Sequence, residues 1–317
     1  MRTPPVTRLA IVAITVLAAA CAACSSAPAS PASPGSGGGA GFPVTVTTTA
    51  GSVHLTSRPD RIVSLSPTVT EMLYAIGAGK QVKAVDSYSD YPASAPITKL
   101  SSFQPNAEAI AAYQPDLVII SNDINGITAK LKALSIPVLD LPAAANVSGV
   151  YDEITQLGAA TGHEAQARAE DSAMKADIAR IVASEPKHPR PLTYFYELGA
   201  NPYYSVTDST FIGSVLSLLG MKSIADSATG AAAAGGYPEL SPEFILKSNP
   251  DYVILSDTGN NGGQSAAMVY ARSGWSSLTA VQDKHVIALN GDMASRWGPR
   301  IVDILQAVAT ATKSGSS

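Results

Sequence analysis

From residue 61 onward, short apolar, β-branched runs alternate with longer stretches in which apolar residues recur every three or four positions. The runs at 61–66, 82–85, 117–121, 138–141, 193–197, 252–256 and 286–289 read as buried strands, and the stretches between them as amphipathic helices. Strands alternating with helices predict an α/β fold with mostly parallel sheets. Thr68-x-x-Glu71 has the spacing of a capping box at the start of the first helix, and Gly77 supplies its stop.

One phrase occurs twice. Residues 105–121 (PNAEAIAAYQPDLVIIS) align without gaps on residues 240–256 (LSPEFILKSNPDYVILS) at an offset of 135. Glu108 meets Glu243, Ile110 meets Ile245, and Pro115-Asp116 meets Pro250-Asp251. Each copy reads as a helix start with an acid in its first turn, an apolar face, a Pro-Asp turn and a buried strand. Helix, Pro-Asp and strand form a common α/β phrase, but a gap-free register points to two Rossmann-like lobes built on one plan. At roughly one domain per 150 residues, the 317-residue chain has room for both.

Between the copies, residues 163–184 hold an unbroken helical pattern with Met174, Ile178, Ile181 and Val182 on one face, stopped by the proline-rich 185–191. Such a helix spans roughly 33 Å at 1.5 Å per residue. It reads as a single stiff connection between the lobes, with a surface helix within one lobe as the alternative.

The N-terminus has a different character. Arg2 and Arg8 precede an apolar run at 9–20, which is too short to span a bilayer and reads as a signal-peptide core. Cys21 and Cys24, the only cysteines, follow at once, and then a Ser/Pro/Ala/Gly-rich stretch at 25–41 with the composition of a flexible tether. The arrangement resembles a bacterial lipobox. Cys24 is assigned as the lipidated residue, with Cys21 as the alternative and a disulfide or CxxC redox pair as the competing reading. Residues 1–23 are then a signal peptide and 24–43 a tether. Residues 44–161 form the N-terminal lobe, 162–189 the connecting helix and 190–317 the C-terminal lobe. Removing the leader takes away Arg2 and Arg8 and no acid, moving the net charge from −4 to −6. An acidic chain without a basic stripe argues against nucleic-acid binding.

Catalytic signatures are missing. His54, His163, His188 and His285 stand at no metal-ligand spacing, so neither a metal nor a cofactor is expected. There is no G-x-S-x-G elbow and no phosphate loop. Ser184-Glu-Pro-Lys187 matches S-x-x-K formally but sits at a proline-broken helix end, without partners. Aromatic residues, by contrast, cluster in loops at strand ends, where open α/β sheets place ligands: Tyr88, Tyr91, Phe103, Tyr203, Tyr204, Tyr237 and Trp297. Any one of them alone is better explained by loop packing. Together they suit a large, flat or macrocyclic solute.

These segments carry a family resemblance. RIVSLSPTVTEMLYAIGAG, VDSYSDYP and PNAEAIAAYQPDLVI resemble the N-lobe of the class III ABC solute-binding proteins that carry cobalamin, ferric siderophores and haem. TYFYELGANPYYSV, GYPELSPEFILKSNPDYVIL and NGDMASRWGPRIVDIL resemble their C-lobe. The vitamin B12-binding members are the most similar, through the SYSDYP run, Asn201-Pro202, and Asp292 with Arg296. Phe103 and Tyr237 depart from the pattern where those members place tryptophan, and Asn125 with its neighbours replaces an aromatic loop.

The resemblance implies two lobes bridged by one long helix, a solute held between them and little closure. It implies a monomeric, non-enzymatic, extracytoplasmic lipoprotein that delivers cobalamin or a related corrinoid to an ABC permease. Ferric-siderophore or haem binding is the alternative, and an envelope hydrolase without an identified nucleophile a more distant one. The implied ligand residues are Tyr88, Tyr91, Phe103, Asn125, Asn201, Tyr203, Tyr204, Tyr237, Asp292, Arg296 and Trp297. The implied docking residues are Glu108 and Glu243, meeting permease arginines. From the residues alone, each of these acids is equally a first-turn carboxylate favoured by the helix dipole.

Overall fold

A computed structural model describes residues 41–259 and 263–314. Cys21, Cys24 and the leader and most of the tether lie outside the described residues. The chain enters through a hairpin of β1 (Val44–Thr48) and β2 (Gly51–Leu55). It continues through β3 (Ile62–Leu65), α1 (Pro67–Ala75), β4 (Val82–Asp86), β5 (Ile97–Leu100), α2 (Ala107–Ala111), β6 (Leu117–Ile120), α3 (Ile127–Ala133), β7 (Val138–Asp140) and α4 (Val147–Thr161). After α5 (Glu164–Ala183) come β8 (Leu192–Glu197), β9 (Gly199–Ala200), β10 (Tyr203–Tyr204), α6 (Phe211–Ser217), β11 (Met221–Ser223), β12 (Glu239–Leu240), α7 (Pro242–Ser248) and β13 (Tyr252–Leu255). The chain closes with α8 (Ala266–Tyr270), α9 (Thr279–Gln282), β14 (Val286–Ala288), α10 (Gly291–Ser295) and α11 (Ile301–Ser314).

Two parallel sheets make the two lobes. The N-lobe sheet runs β5-β4-β3-β6-β7 and the C-lobe sheet β11-β8-β13-β14, every pairing parallel. All seven predicted strands are present. The hairpin, β5, β11 and a small antiparallel sheet β12-β10-β9 were not anticipated.

The expected capping box is corrected. Pro67 takes the first helical position, where its missing N–H costs nothing. Ser66 therefore caps α1, accepting the Val69 N–H, and Glu71 falls too far along the helix to cap it. Gly77 does follow the helix end, with φ 81°.

The repeat extends to backbone detail. Asn106 and Ser241, 135 apart, both cap their helices, accepting from Ala109 N–H and Phe244 N–H. Gln114 and Asn249, also 135 apart, both turn left-handed at φ 50° and 44°. In each copy the aspartate of the Pro-Asp turn then clamps a neighbouring strand: Asp116 accepts from Arg61 N–H ahead of β3, Asp251 from Thr193 N–H in β8. Burial pushes Asp251 up, but the hydrogen bonds from Arg190 and Thr193 outweigh it and hold the carboxyl below its usual range.

Strand periodicity sorts the core into layers. Ile62, Leu117, Ile119, Tyr252 and Ile254 point into one apolar cluster between the two sheets, which also takes in Leu157 of α4, Met174 of α5, Phe211 of α6 and Leu305 of α11. The alternate residues Val63, Val118 and Ile120 face an outer N-lobe cluster, and Val253 and Leu255 an outer C-lobe cluster. The central cluster is continuous across the lobes. Each fully buried aliphatic side chain in it is worth about 1.5–3 kcal/mol. Helix α5, about 30 Å long, packs on α4 and α11 and joins the lobes by its own length. Met174 and Ile181 are buried on its inner face, with Ile178 and Val182 half-buried beside them.

Candidate ligand cleft

Parallel strands put the loops at their C-terminal ends together. On the N-lobe, Asp86 ends β4 fully buried, and its Oδ1 accepts the Tyr88 N–H and the Ser89 hydroxyl at 3.0 and 2.9 Å. Thr70 donates to Ser64 at 2.9 Å and is 3.2 Å from Ser89. This buried hydroxyl network pins the loop and turns the Tyr88 ring outward, 54 % exposed. Phe103, in the loop after β5, meets it edge-on at 5.4 Å and is 65 % exposed. Two such rings in water, held against each other, form a hydrophobic ledge without a partner.

Phe103 is the common wall of two cavities. One, of about 160 Å³, lies at the ends of β3, β5 and β6 and is lined by Ser66, Pro67, Ile120, Ser121 and Asn122. The other, of about 330 Å³, lies between Pro67, Tyr88 and Phe103 on the N-lobe and Asp292, Ser295 and Arg296 on the C-terminal side. It is the cleft between the lobes. Asn125 sits in the loop after β6 at φ 57°, exposed, next to Ile124 on the wall of the smaller cavity.

The cleft floor is ionic. Arg296 Nη1 lies 2.5 Å from Asp90 and 3.5 Å from Glu71, and Nη2 lies 3.3 Å from Asp292. Nη2 also donates to the Tyr88 carbonyl at 2.9 Å. Arg300 binds Glu71 through two of its three guanidinium nitrogens, Nε at 2.7 Å from Oε2 and Nη2 on Oε1. This bond to Glu71 is the main reason the guanidinium is held above its ordinary range. Glu71 and Asp90 belong to the N-lobe, Arg296 and Arg300 to the C-lobe, so the network ties the lobes together beneath the aromatic ledge. Of this network, Arg296 and Asp292 are among the ligand residues expected from the sequence, and Glu71, Asp90 and Arg300 are not.

Other predicted residues are distributed differently. Tyr91 lies under the Arg300 guanidinium, 4.1 Å from its ring centre, and faces a separate cavity of about 350 Å³ lined by Glu71, Tyr74, Pro92 and Pro299. Trp297 is half-buried and stacked on Phe211 at 4.6 Å with the planes 8° apart, which fixes it against the C-lobe. Tyr203 is packed between Trp275 and Phe195 at 5.5 and 6.2 Å. Beside it, Arg272 forks onto buried Glu197 at 2.7 and 3.0 Å and lies 4.3 Å over Trp275. Tyr204, next along the strand, points the other way and is 43 % exposed. Asn201 is exposed at the tip of this hairpin, before a cis Pro202.

Tyr237 is exposed after Gly236, whose φ of 89° and close contacts with Thr207 and Thr210 exclude any side chain there. Burial raises the Tyr237 hydroxyl above its ordinary range. Glu108 and Glu243 stand exposed in the first turns of α2 and α7.

Among the described residues no three metal-ligating side chains come together. The histidines lie away from the cleft. His54 is in the hairpin, His163 stands at the start of α5 without a capping bond from its ring, His188 lies in the loop after α5 and His285 is stacked on Tyr252 at 4.5 Å. The cleft thus offers aromatic contact area and hydrogen-bonding charge.

Comparison with known proteins is consistent with this geometry. A model of the periplasmic binding protein family matches residues 62–293. An uncharacterized ABC transporter substrate-binding lipoprotein of Bacillus subtilis is 30% identical over 277 residues, 84% of this chain and 85% of the relative. A cobalamin-binding protein of Halobacterium salinarum is 30% identical, covering 85% of this chain and 74% of its own. The crystal structure of the periplasmic vitamin B12-binding protein of Vibrio cholerae superposes with a TM-score of 0.63 at 26% identity, over 82% of this chain and 98% of that one. A possible iron-binding protein of Staphylococcus epidermidis superposes at 0.67 with 28% identity, over 80% of this chain and 99% of that one.

Proposed function

The chain belongs to the periplasmic binding protein family, as the substrate-binding component of an ABC importer, and we propose that its solute is cobalamin or a related corrinoid. It is a transport component acting outside the cytoplasm, not an enzyme. The observation that carries the corrinoid reading is the exposed Tyr88–Phe103 pair facing Asp292 and Arg296 across a cleft of about 330 Å³. A broad ring system lies on the aromatic ledge, and its polar rim meets the charged floor. Tyr204 and Tyr237 add exposed contact area from the C-lobe. Relatives named for cobalamin and vitamin B12 support the choice. Iron-bearing solutes are the second reading, supported by the possible iron-binding protein at 28% identity.

Titrating the purified protein with cyanocobalamin by calorimetry tests the assignment. A saturable heat at micromolar protein is expected; its absence removes the corrinoid and leaves the transport role.

Glu108 and Glu243 are proposed as the docking pair, one per lobe, meeting arginines of the permease. Charge pairs of this kind set register and on-rate more than affinity. We propose a monomer held at the membrane by a lipid on Cys24, or on Cys21, with the lobes spanning 44–161 and 190–317 and residues 162–189 connecting them.

A further inference from the structure

Of the residues lining the two cavities beneath Phe103, Arg296 is the one cation. It is not free. Its Nη1 is 2.5 Å from Asp90, and its Nη2 is 3.3 Å from Asp292 and 2.9 Å from the Tyr88 carbonyl. The third acid within reach, Glu71, is 3.5 Å away and matched by its own arginine, Arg300. Arg296 is therefore shared by two carboxylates that are themselves open to solvent, Asp90 with 52 % and Asp292 with 58 % of the side chain exposed. The arginine is 8 % exposed. Asp292 lines the larger cavity beside Arg296, and Asp90 bonds the same guanidinium without lining that cavity, so one positive charge set inward and two negative charges set outward leave an excess negative charge at this edge of the cleft. In the C-lobe, the Arg272 guanidinium beside Tyr203 is taken up by Glu197.

We infer, resting on the corrinoid reading, that Asp90 and Asp292 act as a charge filter: the cleft admits a macrocycle whose rim carries amides and rejects one of similar size whose rim carries carboxylates. Corrin side chains end in neutral amides, whose N–H groups donate to carboxylates. Haem presents two propionates, and ferric catecholates carry net negative charge. To enter, such an anion must approach two carboxylates while the arginine that could answer it is already bonded to both. Like-charge juxtaposition of this kind is a recognised device for excluding a wrong partner.

The filter is tested with cyanocobalamin, haemin and haemin dimethyl ester, on wild type, Asp292→Asn and the double variant Asp90→Asn/Asp292→Asn. Wild type is expected to bind haemin more weakly than its ester, and the haemin affinity is expected to rise with ionic strength as the repulsion is screened. Each neutralised carboxylate is expected to tighten haemin about three- to tenfold, the size of one like-charge contact in a partly solvated site. The ester, lacking the charge, is expected to change little. Asp292→Asn alters an exposed residue of α10 and keeps the test available even if the double variant folds poorly.

Equal haemin affinity in wild type and Asp292→Asn, at low salt, overturns the filter. The cyanocobalamin arm is separate. If wild type takes no cyanocobalamin, the corrinoid reading falls, and the gain or absence of gain for haemin still decides whether these carboxylates repel anions.

Discussion

Glu71→Gln is the most informative single change in the interlobe network. The Glu71 carboxylate is 2 % exposed and receives two bonds from Arg300, which is 15 % exposed. For charges about 4 Å apart at an effective dielectric near 20, the attraction is about 4 kcal/mol. Removing one partner of a buried pair costs about 3–5 kcal/mol, because the other charge is left unanswered. With ~2.1 cal/mol/K of unfolding entropy per residue over the roughly 270 described residues, that loss lowers the melting midpoint by about 5–9 °C. The two sides of the pair are not equivalent. Without Glu71, Arg300 keeps the Tyr91 ring and the weaker pull of Asp292, whereas without Arg300, Glu71 retains Arg296 at 3.5 Å. Arg300→Met is therefore expected to cost less than Glu71→Gln. The double variant is expected to cost about 2 kcal/mol less than the sum of the two. Circular-dichroism melts and urea titrations of the four proteins give the cycle. Single losses below about 1 kcal/mol, or additivity within about 0.5 kcal/mol, refute the network as a structural tie.

Four further outcomes are expected. Phe103→Ala removes about 100 Å² of contact, worth ~2.5 kcal/mol, so cyanocobalamin affinity is expected to fall roughly sixtyfold by calorimetry with the melting point unchanged. Trp297→Ala is expected to do the reverse, since the ring is spent on Phe211: about 2–3 kcal/mol of stability lost and a smaller change in affinity. Glu153 is pushed by burial, with a further contribution from Asp152, from 4.5 to about 8. A carboxyl raised on folding contributes stability below its unfolded value and loses it as pH rises to the folded one. Wild-type stability is therefore expected to fall between pH 4.5 and about 8, at up to about 1.4 kcal/mol per pH unit, and Glu153→Gln to flatten that slope in denaturation series. Parallel curves would contradict it. Glu108→Arg with Glu243→Arg is expected to abolish uptake in cells while leaving ligand affinity intact; unchanged uptake removes the docking assignment.

How much of this was legible depends on how local the signal is. The buried strands were visible because runs such as LVII and YVIL have no other economical reading. The repeat was visible because Asn106/Ser241, Gln114/Asn249 and Asp116/Asp251 do matched backbone work. The hairpin was legible in principle, since VTVTT and GSVHL alternate on either side of the Thr49-Ala50 turn. The capping-box error shows one local rule overruled by another, Pro67 fixing the helix start ahead of the Thr68 spacing. The ionic floor was not legible. Glu71 and Arg300 lie 229 residues apart, each in an ordinary helical pattern, and only the fold brings them together. Likewise, nothing in the sequence separates Tyr88, turned out by the Asp86 turn, from Tyr203, turned in against Trp275.

The unbroken apolar seam between the lobes has a consequence for traffic at the membrane. Because side chains from both sheets share one interior, the halves are expected to have little freedom to gape or snap shut, and the span between the two proposed anchoring acids is expected to be nearly the same with and without cargo. An empty carrier then fits the importer about as well as a full one. Uptake should consequently fall when this protein is produced in large excess over its solute, because vacant copies queue at the same doorway, and a transport assay at fixed solute with graded expression would show it.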